Sequence, residues 1–492
     1  MLTLGYVLVA IYLVALIFVT VFCLMQFQLL YHYMRKNKRD LVPAEIEGAA
    51  LPFVTIQLPI FNERYVVTRL IENILAFDYP RDRYEVHILD DSTDDTLAIS
   101  RDLVDKYKAE GYNIELITRP DRVGYKAGAL KYATKYAKGD FIAIFDADFL
   151  PESDFLRRTI PHFANDKVGV VQTRWAHINQ DYSLITELQA FQLNVHFTVE
   201  QRGREAGDYM LQFNGTAGVW RKETIESAGG WEADTLTEDL DLSYRAQIKG
   251  WEIVFLENVT SPAELPAEMN GLKSQQHRWM KGGAETAKKM LPSVWRSDLS
   301  LRRKVHATLH LLSSSVFLCV FIIGTFSVPI LFLIAPLQLQ TDLLGIFMVG
   351  LVSIGAVYFV ANVNIAWPQD GYLKKVVKFI LLFPIFLAMS MGLSLHNSIA
   401  VIQGFRGRKS AFVRTPKFDI KEQKDSFVKS QYRDTKINKI TMAEGLLALY
   451  FIGGIVAGLM IGEQTFLLFH ILLTIGYGTT FYYSVKHARA RS

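Results

Sequence analysis

Residues 4 to 31 contain no charged side chain, and most of 305–402 and 441–485 is nearly as apolar. A helix of about 20 apolar residues crosses a bilayer, so runs of this length point to a membrane before any other feature is weighed. Between them, 33–304 has the mixed composition of a globular domain and is long enough for one large core. The expected architecture is a soluble domain inserted between membrane segments. No basic region precedes the first apolar run and no small-residue cleavage site follows it, which favours a retained anchor over a cleaved leader. Arg35, Lys36, Lys38 and Arg39 come directly after it, and the positive-inside rule then places the domain in the cytoplasm.

Further spans are expected near 306–336, 343–366, 441–461 and 465–485. The loop 406–439 and the tail Lys486-His487-Ala488-Arg489-Ala490-Arg491 are both basic, so both belong on the cytoplasmic side. That requires 376–402 to dip into the membrane, bent at Pro384 and Gly392, and gives five spans; a full sixth crossing is the alternative. A net charge of +4 over 492 residues, with the basic residues beside apolar runs, gives no support for nucleic-acid binding. Cys23 and Cys319 both lie inside apolar runs, which excludes a disulfide framework and a cysteine metal site.

Within the domain, the apolar runs 53–58, 84–89, 113–118, 141–145 and 168–173 alternate with helix signals, the pattern of a doubly wound, mostly parallel α/β sheet. The run Phe141-Ile142-Ala143-Ile144-Phe145 ends on Asp146 and Asp148. Two carboxylates at the carboxyl end of such a strand lie where open sheets bind ligands, and their mutual repulsion asks for a cation such as Mg²⁺ or Mn²⁺ with a diphosphate. The structural alternative is a cap on a helix beginning near Pro151-Glu152. Asp90 and Asp91 end the second strand in the same way, within reach of ribose hydroxyls or a base edge, while Ser92 and Asp94 suit a helix cap. Lys126 falls in the first turn of a helix, where a phosphate is favoured. No Gly-x-Gly-x-x-Gly or Walker sequence is present, which argues against a dinucleotide oxidoreductase or a P-loop ATPase.

Downstream, a long helix is expected from Ser183 to about Arg202. In Phe213-Asn214-Gly215-Thr216-Ala217-Gly218-Val219-Trp220-Arg221, two glycines permit close approach and Asn214 suits a sugar; a bulged turn is the other reading. Thr235 and Glu238 have capping-box spacing, leaving Asp239 in the first turn, kept ionised by the helix dipole as a proton acceptor. Gln275, Arg278 and Trp279 combine an amide, a guanidinium and an indole, a set that holds sugar rings, although Trp279 could instead anchor the chain at the membrane interface.

In order, 59–63, Asp90-Asp91, Lys126, Asp146-x-Asp148, Thr237-Glu238-Asp239 and Gln275-x-x-Arg278-Trp279 resemble the motifs of processive family-two glycosyltransferases, the cellulose, chitin and hyaluronan synthase group. The resemblance runs over nearly the whole chain. The wording of 213–221 and 275–279 is similar to that of plant cellulose-synthase-like mannan and glucan synthases. Phe412-Val413-Arg414-Thr415-Pro416-Lys417 resembles the gating loop of cellulose synthases, with departures at Arg414 and Pro416. The resemblance implies a GT-A fold. It places Glu63, Asp90, Asp91, Lys126 and Asp146 with the nucleotide-sugar donor and Asp146 with Asp148 on the metal. It makes Asp239 the base, puts Asn214, Glu238, Gln275, Arg278 and Trp279 with the acceptor, and closes Thr415 and Lys417 over the nucleotide.

The domains implied are an anchor at 1–32, the GT-A domain at 33–304, membrane and interfacial segments at 305–402, a gating-like loop at 403–440, and a hairpin with basic tail at 441–492. The long insertions and zinc domain of plant cellulose synthases and a cyclic-di-GMP sensor are not expected. The span count is below that of bacterial cellulose synthase, which implies an export partner protein. The expected activity is inverting, metal-dependent transfer of a hexose from UDP-glucose or GDP-mannose to a growing β-linked polysaccharide. The setting is a bacterial inner membrane or, in a eukaryote, the Golgi. Alternatives are a single addition to a membrane lipid such as ceramide or diacylglycerol, and a non-catalytic channel or scaffold.

Overall fold

The computed structural model describes residues 2–35, 51–363, 365–410, 413–420 and 437–489. Lys36, Lys38, Arg39, Phe412, Ala490 and Arg491, invoked above, lie outside the described residues.

The sheet is built outward from its most apolar strands. β1 (Val54–Ile60) is buried along nearly its whole length and pairs in parallel with β2 (Tyr84–Asp90) on one side and β4 (Phe141–Ile144) on the other, with β3 (Ile114–Ile117) parallel at the edge. Strands covered on both faces by helices read as continuous hydrophobic runs, which is why these four are visible in the sequence. Their carboxyl ends share one rim, and Asp91 N–H donates to Ile60 O there at 3.0 Å.

The other half of the sheet differs from expectation. Its order is β3-β2-β1-β4-β6-β5-β7, where β5 is Val168–His177, β6 is Gly218–Arg221 and β7 is Glu252–Ala263. The second half of 213–221 is thus a strand and not a turn. β6 runs antiparallel between β4 and β5, so its amino end faces the rim and delivers 214–217 beside Asp146. Ala217 N–H donates to Ile144 O (2.8 Å) and Asp146 N–H to Thr216 Oγ1 (2.8 Å). β7 lies parallel to β5, with a register shift at Thr173/Arg174. Glu257, Asn258 and Pro262 interrupt its alternation, so the sequence gives it no strand signal.

The long helix begins as expected at Ser183, which caps it reciprocally with Thr186, but it contains a π turn over His196–Glu200 between Leu184–Val195 and Gln201–Ala206. The expected capping box at Thr235 does not form. The helix is Glu238–Ile248, its cap position is Thr237, and Thr237 Oγ1 pairs with Thr286 Oγ1 (3.0 Å) instead of the helix end. Asp146 and Asp148 cap nothing, since the next helix starts only at Phe155.

Among the described residues, four helices are long and apolar enough to cross a membrane: Thr3–Arg35, Leu344–Val363, Tyr372–Gly392 and Lys439–Ile461. Leu301–Leu311 and Ser315–Leu331, bent by 61°, add a fifth if they form one broken span. This set differs from the expected one. Tyr372–Gly392, expected to dip, is among them, whereas Leu467–Arg489, which carries His470 and several tyrosines, is not. Gly392 serves a close helix contact: a Cβ there would lie 2.3 Å from Gly476 O, the small-residue packing of membrane helices. The domain is joined to these helices through Met269–Arg296, whose buried Lys273 Nζ reaches Glu444 and Ser484 Oγ (2.8 Å).

Candidate active site

The rim carries a cleft lined from the ends of β1, β2, β4, β5 and β7, the loop at Asn214-Gly215, the start of Glu238–Ile248, the face of Met269–Arg296 bearing Gln275, Arg278 and Trp279, and the segment 413–420. Residues more than 150 positions apart in the chain meet there because β6 and the helix Met269–Arg296 bring their loops to the end of β4.

Four acids at the rim each carry a basic partner from a different element. Arg119 grips Asp91 through Nε (3.1 Å) and Nη2. Lys126 Nζ pairs with Asp146 and also donates to Gly215 O (2.8 Å). Lys417 Nζ donates to Asp148 Oδ2 (2.6 Å), and Arg414 Nη1 lies 3.0 Å from Glu63. Burial works against the Lys126 ammonium, but Asp146, Glu238 and Asp239 outweigh it and its pKa is raised. Burial pushes the Glu63 carboxyl up to about 8, offset in part by Arg414 and Lys417.

Asp239 stands differently. Among the described residues it forms no ion pair; its Oδ1 accepts from Leu240 N–H (2.9 Å) and its Oδ2 faces Gly215. Gly215 has φ +78°, and a Cβ there would lie 3.1 Å from Asp239 Oδ2 and 3.5 Å from Lys126 Nζ. Glycine is required twice over, for the left-handed backbone and for this approach. Burial, then the adjacent Glu238, raises the Asp239 pKa to about 7. The sequence reading, in which the helix dipole keeps it fully ionised, is corrected here: desolvation outweighs the dipole. Glu238 is raised as well, chiefly by burial.

The remaining expected residues divide. Gln275, Arg278, Trp279, Asn214 and Thr415 line the cleft. Arg278 holds the loop, donating to Val413 O (3.2 Å) and Thr415 Oγ1 (3.3 Å). Asp90 is not brought into the cleft lining. Its oxygens accept from Ser92 N–H (2.8 Å) and Ser100 Oγ (2.6 Å), so it shapes the turn that presents Asp91. Asp94 Oδ1 accepts from Thr96 N–H (3.0 Å), in line with its helix-start reading, while Ser92 Oγ instead accepts from Asn62 N–H (2.8 Å).

Three cleft residues escape the sequence reading. Arg122 places its guanidinium 3.2 Å from the centroid of the Phe61 ring. His177, at the end of β5, is lowered to about 4 by burial and then by Arg174, and so is neutral. Glu264, just past β7, accepts from Phe418 N–H (2.8 Å) and Asp419 N–H (3.1 Å) and anchors the loop. For Glu264 the missing signal is β7 itself; His177 follows a strand read as ending four residues early. An acidic triad of Glu232, Asp234 and Asp241 also converges within 4.8 Å, but outside the cleft and around Lys289.

The chain is 41% identical over 281 residues to glucomannan 4-beta-mannosyltransferase 1 of Oryza sativa subsp. japonica, covering 55% of this chain and 54% of that protein. It is 42% identical over 271 residues to glucomannan 4-beta-mannosyltransferase 9 of Arabidopsis thaliana, covering 53% and 50%. The match spans about half the length of these curated relatives. Among solved structures it is similar to the mannosyltransferase PcManGT from Pyrobaculum calidifontis in complex with GDP-Man and Mn2+, with a TM-score of 0.49 and 19% identity, covering 74% of this chain and 100% of that one. Residues 52–282 match the family described as glycosyltransferase like family 2.

Proposed function

We propose that the protein is an inverting, metal-dependent hexosyltransferase that extends a β-linked polysaccharide at a membrane from a nucleotide-sugar donor. The observation that carries this reading is the contrast inside the cleft: acids paired with cations against Asp239, which with its neighbour Glu238 forms no ion pair among the described residues and titrates near neutrality with its Oδ2 facing Gly215. Of the two donors read from the sequence, UDP-glucose and GDP-mannose, the mannosyl one is favoured, because the relatives are named glucomannan 4-beta-mannosyltransferases.

Asp146 and Asp148 offer only hard oxygen ligands one residue apart, which fits Mg²⁺ or Mn²⁺. They would hold that ion, and when bound it supplies neutralisation of the diphosphate leaving group. Lys126 and Lys417 now balance these acids, and their ammonium groups are the cations that face a diphosphate. Arg119 orients Asp91 toward the nucleoside. Gln275, Arg278 and Trp279 receive the acceptor ring, Trp279 through its apolar face. Asp239 takes the proton of the attacking hydroxyl, and a pKa near 7 suits a general base at neutral pH. A single base without a covalent intermediate inverts the anomeric centre. The long apolar helices support a multi-pass placement in a lipid bilayer; the basic residues beside them in the sequence support this domain's cytoplasmic side.

The test is to incubate membranes containing the protein with labelled GDP-mannose and UDP-glucose separately, with and without chelator, and to size the product. Metal-dependent incorporation into chains that resist lipid extraction is expected. A single glycolipid species would replace the polymer with a lipid acceptor, and no release of nucleoside diphosphate would overturn the proposal.

A further inference from the structure

Asn214 is tied to the interior by its oxygen. Its Oδ1 lies 2.7 Å from His196 Nε2 and 2.9 Å from Gln212 Nε2, while its Nδ2 is buried at the cleft lining with no protein partner among the described residues. Turning the amide round would set its NH₂ against the NH₂ of Gln212, whose own oxygen is engaged by His310 Nε2 at 3.1 Å. The other His196 nitrogen, Nδ1, lies 2.9 Å from Glu200 Oε2. A carboxylate can only accept, so Nδ1 carries a proton. Nε2 faces the Asn214 oxygen and donates to it in turn.

Glu200 is itself fixed from three sides. Besides His196 it receives Arg204 Nη2 (3.3 Å) and, from the first apolar helix, Gln26 Nε2 (2.7 Å). Burial alone would raise its pKa, but Arg204 and His196 hold it well below the usual carboxylate range. His196 and Glu200 bound the π turn, and such insertions mark functional positions because they re-aim side chains within a helix. Gly203, one turn on, packs so closely on the first helix that a Cβ would lie 2.5 Å from Leu29 O.

The geometry points to His196 and Glu200 as positioning residues that lock the Asn214 amide with its NH₂ facing the cleft, to donate to an oxygen of the acceptor sugar. The first apolar helix steadies the pair through Gln26. The assignment rests on the glycosyltransferase reading above and adds a role for a helix that does not itself reach the cleft.

A double-mutant cycle on the full chain in membranes tests it, using Asn214→Ala, His196→Ala and the pair, with labelled nucleotide sugar as probe. Loss of one hydrogen bond lowers kcat by about 3- to 10-fold. Each single variant should fall by that amount with the donor KM unchanged, and the double variant should fall no further. Asn214→Asp keeps the acceptor oxygens and the shape but lacks the NH₂, so it should lose as much as Asn214→Ala even if His196→Ala folds poorly. His196→Gln, whose amide can still donate to Asn214, should recover most of the rate. Losses that multiply in the double variant, or an unimpaired Asn214→Asp, would overturn the positioning role while leaving the enzyme assignment standing. Wild-type membranes that release no nucleoside diphosphate would overturn both.

Discussion

Among the described residues, two gatherings of carboxylates are neutralised in opposite ways. In the outer triad one lysine, Lys289, sits among Glu232, Asp234 and Asp241, and Arg245 completes Asp241 at 2.7 Å. In the cleft, acids are paired one by one with cations brought from elsewhere in the chain: Lys126 to Asp146, Lys417 to Asp148, Arg414 to Glu63. The first arrangement is closed and joins two helices. The second lines open space, and its cations reach the acids from a loop and a helix end, so the pairing can be exchanged for a ligand of matching charge. The number of acids does not make a site; the exchangeability of their partners does.

The sharpest way to break this comparison is to remove Asp239, which forms no ion pair among the described residues. Asp239→Asn should cut turnover by about 10²- to 10⁴-fold, the range of general-base catalysis, with folding and nucleotide binding intact; an unchanged rate would remove Asp239 from the chemistry. Next, Asp146→Asn and Asp148→Asn should each lower the initial rate at saturating Mn²⁺ by about 10²- to 10³-fold, since metal stabilisation of charge is worth several kcal/mol. Glu232→Gln and Asp234→Asn should leave both the rate and the metal requirement within about twofold, surface changes being small. Lys289→Met acts on stability instead. It leaves buried Asp241 with Arg245 alone and should cost about 1–3 kcal/mol by denaturant unfolding, with rate per folded molecule unchanged.

A further effect is in pH. As a base, Asp239 must lose its proton, so the rate should rise about fivefold from pH 6 to 7 and level off above its pKa of about 7. Stability should move the other way. The folded-state pKa lies above the ordinary value of 3.8, so the folded chain binds this proton more tightly than the unfolded chain does. The resulting stability is present below about pH 4 and lost as pH rises through about 7, and Asp239→Asn should abolish that slope.

Much of this was legible in the sequence because it is local. β1 to β4 announce themselves as apolar runs, Asp91, Asp146 and Asp148 follow directly from their ends, and Gln275, Arg278 and Trp279 lie on one helix. What the sequence hides is long-range. β6 is a four-residue strand that reads as a turn until β4 and β5 are seen on either side of it. β7 has charged and proline positions that only its pairing with β5 accommodates. The residues that depend on it, Glu264 above all, therefore enter the site unannounced. Thr235 shows the reverse error, a good local capping signal that misses because the helix begins only at Glu238, with Thr237 at the cap position. The Asp239 pKa could not be read either, since burial is a property of the assembled cleft.

The central claim, that the cleft cations exchange from acids to ligand, is tested most directly by calorimetric titration of Mn²⁺ and a nucleoside diphosphate, singly and together, into the purified protein. Either ligand alone leaves the exchanged charges unbalanced, so each should bind at least about fivefold more tightly in the presence of the other, and by the same factor in both directions. Equal Mn²⁺ affinity with and without the nucleotide would contradict the account.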